Sequence, residues 1–155
     1  AFPEGEIVEV GRHSPPPLWL QVTLLHYLLT ADGTQVADRW IAFRELPGGY
    51  ALLSNFERST VAPLTAALGS DPEGFRRAAL ALDGYPMGLG DVSFRFMALP
   101  RLPMGCILWL GEEGMPPAMN IVFDASSPHY LHTEDLAALA EYLSQALRHG
   151  PWLEG

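Results

Sequence analysis

The residues best equipped for chemistry are few and dispersed along the chain. His26 and Tyr27 stand together inside residues 18–29, a stretch that is otherwise almost wholly apolar. A buried imidazole must be hydrogen-bonded, ligate something or stay neutral. Imidazole is also the usual axial donor to a haem or corrinoid-type metal. Trp40 and Arg44 fall on one face of an expected strand, where a guanidinium beside an indole can clamp an anionic planar ligand by stacking and paired hydrogen bonds. Alternatively, Arg44 forms an ion pair with Asp91 across the sheet. His129 and His132, three residues apart, can chelate a metal on a helical backbone, with Asp124 adding an oxygen; otherwise they are surface or capping residues. Glu112 and Glu113 lie between two glycines, which suits an exposed loop tip as readily as a paired-carboxylate site.

Other chemistries lack their parts. All nine basic residues are arginine, so no lysine is present for a Schiff base, a general base or a phosphate loop. No Gly-x-Ser-x-Gly occurs, and Gly88-Leu89-Gly90 lacks the third glycine of a dinucleotide fingerprint. Cys106 stands alone in the apolar run 104–110, where it reads as a small buried hydrophobe. With 18 acidic residues the net charge is −9, which repels nucleic acid and anionic membranes. The apolar run 18–29 is too short to span a bilayer and is interrupted by Gln21, Thr23 and His26. The opening Ala1-Phe2-Pro3-Glu4 does not resemble a signal peptide, so the expected location is cytoplasmic.

The elements that must position these groups read as one α+β domain over 1–155. The 155 residues, 48% of them hydrophobic, are ample for one core. Residues 6–10 alternate like a strand. Ser14 and three prolines then lead into a helix whose Leu18, Val22, Leu25, Leu29 stripe and Leu20, Leu24, Leu28 stripe predict burial on most of its circumference. A strand over 40–46 and a turn at Pro47-Gly48-Gly49 predict a hairpin with 50–53. Helices follow over 59–68 and 70–82, the second with Ser70 and Glu73 placed for a capping box. Residues 91–99 alternate cleanly, 104–110 suits a central strand, and 118–124 suits another. Thr133 is positioned to cap a last helix that buries Leu136, Leu139, Leu143 and Leu147. Short turns between strands predict a mainly antiparallel sheet, packed with a buried N-terminal helix, two middle helices and a C-terminal helix.

Several segments together resemble an uncharacterised domain family of anaerobic bacteria and archaea. They are Leu25-His26-Tyr27-Leu28, Arg39-Trp40-Ile41-Ala42-Phe43-Arg44-Glu45-Leu46-Pro47-Gly48-Gly49, Gly90-Asp91, Leu99-Pro100-Arg101-Leu102-Pro103, Leu108-Trp109, Phe123-Asp124 and Tyr130-Leu131-His132-Thr133-Glu134-Asp135-Leu136. The likeness runs from about residue 24 to 147. The family's acidic loop resembles Asp-Glu-Glu-Phe, whereas this chain has Gly111-Glu112-Glu113-Gly114. Some members resemble fusions to a four-cysteine iron–sulfur module similar to that of corrinoid/iron–sulfur proteins. This chain, with one cysteine, holds no such cluster itself.

Three functional expectations follow. The first is a binding module without catalysis of its own for an apolar, partly anionic cofactor such as a tetrapyrrole or corrinoid, using His26, Tyr27, Trp40, Arg44 and Asp91. The second is an interaction partner of an anaerobic metalloenzyme, suggested by four tryptophans. The third is a metal-dependent enzyme built on His129, His132 and either Asp124 or Glu113.

Overall fold

A computed structural model of the chain describes residues 17–150. The expected strand over 6–10 and the Ser14 helix start lie outside those residues. Helix α1 (Leu18–Thr30) leads through an extended loop to β1 (Trp40–Ile41). Helices α2 (Gly49–Phe56) and α3 (Ala62–Leu68) are joined by a π-turn over Glu57–Val61, and α4 (Pro72–Ala81) follows. Then come β2 (Tyr85–Pro86), β3 (Val92–Leu99), β4 (Leu102–Trp109), β5 (Ala118–Asp124) and α5 (Thr133–His149). The sheet order is β1-β5-β4-β3-β2, antiparallel throughout. The fold is α+β, and β4 is central as its two apolar faces predict.

Register sorts the sheet into two faces. The row Phe94–Cys106–Ile121 and the row Phe96–Met104–Phe123–Ile41 turn toward the helices and form the core. The row Tyr85–Arg95–Gly105–Val122 and the row Ser93–Ile107–Asn120 turn the other way. Helix α5 buries Leu136, Leu139, Leu143 and Leu147, and the Ser144 hydroxyl donates to the Thr60 carbonyl at 2.8 Å.

Five local expectations need correction. The first helix exists, but among its described residues only Thr23 is buried, while Leu18 and Leu29 are 74% and 84% exposed. Periodicity reports an apolar surface; burial also requires a partner area, and α1 lies outside α5 with only its inner stripe covered. The strand expected over 40–46 ends at Ile41. The Glu45 carboxylate accepts from the Ala42 N–H at 2.7 Å, and a 3-10 turn forms over Phe43–Glu45. No hairpin follows, because Gly48 takes a left-handed φ of 70° and starts α2. That helix returns Phe56 to stack on Phe43 with ring centroids 4.1 Å apart. Asp71, not Ser70, caps α4 by accepting from the Gly74 N–H at 2.9 Å. Thr133 does not cap α5; its hydroxyl donates to the Pro47 carbonyl and ties the helix start to the β1–α2 turn.

Candidate functional site

The singled-out residues separate into three places. The first is the anchor of the extended loop 31–39. Asp124 ends β5 with no solvent exposure, and its carboxylate accepts from the Ala37 N–H at 2.8 Å, the Arg39 N–H at 3.3 Å and the Ser126 N–H at 2.9 Å. The Ser126 hydroxyl donates to it as well. Burial works against its ionisation, but the Ser126 hydroxyl and these backbone donors outweigh that and hold its pKa below the usual carboxylate value. Nearby, His129 Nδ1 lies 2.7 Å from the Asp32 carboxylate, and the Tyr130 hydroxyl donates to the Thr34 carbonyl. Hydrogen bonds from Thr34 and then His129 lower the Asp32 pKa to about 2. His129 and Asp124 thus serve the loop, while His132 faces elsewhere. Among the described residues no three His, Cys, Asp or Glu side chains gather as a metal site.

The second place is the seam between α1 and the start of α5. His26 Nδ1 meets both Asp135 carboxylate oxygens, at 2.9 and 3.0 Å, and its ring stands edge-on to His132 with centroids 6.4 Å apart. An imidazole held by a carboxylate is the usual second layer of a metal ligand, yet here the pair joins two helices. Tyr27 donates to the Pro100 carbonyl at 2.7 Å and stacks on Tyr130. Burial, then the neighbouring Tyr130, raise the Tyr27 pKa, so the phenol stays a donor.

The third place is the open face of the sheet, where Trp40 lies. Its ring passes over Gly105: a Cβ there would stand 3.6 Å from the indole and 2.9 Å from the Met87 methyl. A Cβ there would also stand 3.0 Å from Val122, so glycine makes room for Met87 and Val122, while Trp40 lies at an ordinary contact distance. Gly105 pairs with Arg95, and Arg95 pairs with Tyr85. Trp40, Tyr85, Arg95, Met87 and Asp38 line one cleft of about 420 Å³. The loop 87–91 is folded over this face by the Leu89 N–H, which donates to the Ser93 hydroxyl at 3.0 Å, and by the Met87 N–H, which donates to the Ser93 carbonyl at 2.9 Å. Among the described residues the half-buried Arg95 guanidinium has no ion-pair or hydrogen-bond partner.

Arg44 does not share this cleft. The 3-10 turn removes it from the strand and leaves it exposed. Asp91 is not its partner either: it closes the β3–β4 pair by accepting from the Leu110 N–H at 2.7 Å. Glu112 and Glu113 are exposed, with Glu112 bridged through its backbone to Met115 in a tight turn. Burial pushes the Cys106 thiol far above its ordinary pKa, so it is no nucleophile.

Sequence reading singled out Trp40 with Arg44, whereas the arginine beside Trp40 in the cleft is Arg95. Arg95 was visible as the one charge on the alternating 92–99 strand. What no sequence signal marked was the absence of a counter-ion. Of the described tryptophans, Trp19 packs on α5, Trp40 lines the cleft and Trp109 is exposed at the far end of β4. They do not form one cluster.

No helix among the described residues is long and apolar enough to cross a membrane. No curated protein and no solved structure matches the chain. A family model does match, over residues 2–146, and on that match the chain belongs to the family described as Domain of unknown function (DUF3786).

Proposed function

We propose that this domain binds a planar, partly anionic organic molecule in the open-face cleft and performs no catalysis of its own. The observation that carries the reading is Arg95: a half-buried cation with no ion-pair or hydrogen-bond partner among the described residues, in a cleft walled by Trp40 and Tyr85 with Asp38 at its edge. Aromatic faces take a flat ring system by stacking. A guanidinium takes a carboxylate through two parallel hydrogen bonds in a fixed fork. The missing counter-ion is then the ligand's. A tetrapyrrole carboxylate or a corrinoid is the first compound class to try, in a cytoplasmic setting. His26 would not serve as its axial ligand, because Asp135 holds it on the other side of the fold.

The test is a titration of the pure chain with protoporphyrin IX, a planar dicarboxylate, beside cobalamin. A saturable Soret shift with protoporphyrin IX supports the reading. Unchanged bands for both compounds at tens of micromolar overturn it.

One observation favours a second reading, an accessory domain that docks on a protein. Leu18, Val22, Leu25 and Leu29 form an exposed stripe on a helix that carries no Asp, Glu, Lys or Arg. Such a stripe suits a hydrophobic partner. Under this reading Leu25→Glu changes association and leaves protoporphyrin IX binding intact.

A further inference from the structure

The inner side of α1 covers a second hollow, on the opposite face of the sheet from Arg95. Leu20 and Leu24, one turn apart, form its roof; Leu139 and Leu143 of α5 form one wall; Phe96 and Ala98 of β3 form the floor. Its volume is about 340 Å³, and among the described residues no charged side chain lines it. Protein interiors leave few voids larger than a water molecule. An enclosed apolar cavity of about 150 Å³ binds benzene; this cleft, open to solvent on one side, offers roughly twice that room.

The hollow exists because α1 is held at its ends. Toward its start, Trp19 rests on Tyr142 with ring centroids 5.8 Å apart. Toward its end, His26 is fixed by Asp135 and Tyr27 by the Pro100 carbonyl. Trp19 and His26 are two turns apart, or about 10 Å of helix. The roof leucines lie between these supports, and Leu20 packs against the core at the edge of the hollow. Water inside would find almost no hydrogen-bond partners, and an ion would find no counter-charge. A hydrocarbon gains by leaving water and recovers the dispersion contacts the walls lack.

We propose that this cleft is a binding site for a small, uncharged hydrocarbon, aliphatic or aromatic, of about two benzene volumes. The site is independent of the open-face cleft: its ligand class carries no charge, and Arg95 plays no part in it.

The test is methyl NMR on the full chain labelled at methionine, titrated with naphthalene. Met104 lines the cleft, whereas Met119 sits elsewhere in the core and Met115 is exposed on the acidic loop. The expected result is a saturable shift of the Met104 methyl, with Met119 and Met115 unmoved. Leu24→Trp fills the hollow from the roof and should weaken the Met104 response at least about tenfold, the equivalent of about 1.4 kcal/mol. Ala98→Trp repeats this from the floor, so either variant suffices if the other fails to fold. Three results overturn the proposal: a Met104 methyl that does not move at naphthalene saturation, an equal response in a folded Leu24→Trp protein, or a Met115 shift as large as that of Met104. A Met104 methyl that shifts with protein concentration alone means that a second copy fills the cleft, and this also overturns it.

Discussion

The two faces of the sheet are made by alternate residues of the same strands, and they solve different problems. On the helix side of β3, Phe94 and Phe96 are buried, and Phe94 meets Phe75 edge to face at 5.6 Å. On the other side, Ser93 is spent on the Leu89 N–H, Gly105 makes room for Met87, and Arg95 has no partner among the described residues. A sequence whose local choices otherwise agree with its fold tends to break its own rules where it works. The helix face therefore specifies the fold, and the open face is where we place the binding of a charged ligand.

The comparison is broken most severely by Phe94→Ala. Removing a fully packed aromatic side chain should cost about 3–5 kcal/mol, read as a lower urea midpoint. A loss below about 1 kcal/mol would mean the helix face is not the core. The variant should still bind protoporphyrin IX under conditions where it is folded.

Asp124→Ala comes next. It strips a buried charge-assisted acceptor from several donors and should cost about 2–3 kcal/mol. Because the folded pKa of Asp124 is lowered, its contribution is fully present above the ordinary carboxylate value. That contribution fades as pH falls through the lowered value. The same sign holds for Asp32, whose pKa of about 2 puts the loss between pH 3.8 and 2. Acid unfolding curves of Asp124→Asn should therefore converge on wild type as pH falls; curves that stay parallel contradict the assignment.

Gly105→Ala sharpens the contrast at smaller cost. The new methyl must displace the Met87 methyl at the cleft and press on Val122, costing about 1–2 kcal/mol as overpacking. It should reduce ligand affinity by more than its stability loss explains. An affinity equal to wild type would place the ligand elsewhere. Smallest of all, Leu25→Ala on the exposed stripe of α1 should stay within about 0.5 kcal/mol of wild type. A core-sized loss would restore the buried helix that its periodicity predicts.

Much of the fold was legible because period and partner coincide. Residues 92–99 alternate, 118–124 are β-rich, and the leucines of α5 recur at helical spacing; each found a complementary surface. The failures have one physical origin. Val22 and Leu25 look like core by spacing, yet α5 already occupies the sheet, so only the inner stripe of α1 is covered. Residues 43–45 look like strand, yet the Glu45 carboxylate captures the Ala42 N–H and turns the chain. That turn removed Arg44 from the candidate site. Arg95 took its place through strand register, a long-range property that no local spacing encodes.

The most direct test of the open-face site sets the two arginines against each other. Protoporphyrin IX affinity is measured for wild type, Arg95→Leu and Arg44→Leu, each with its urea midpoint. Losing a charge-assisted hydrogen bond of about 1.5–3 kcal/mol should weaken Arg95→Leu by at least about tenfold, with its midpoint unchanged and Arg44→Leu indistinguishable from wild type. Equal affinity in wild type and Arg95→Leu, or equal losses in both variants, contradicts the account.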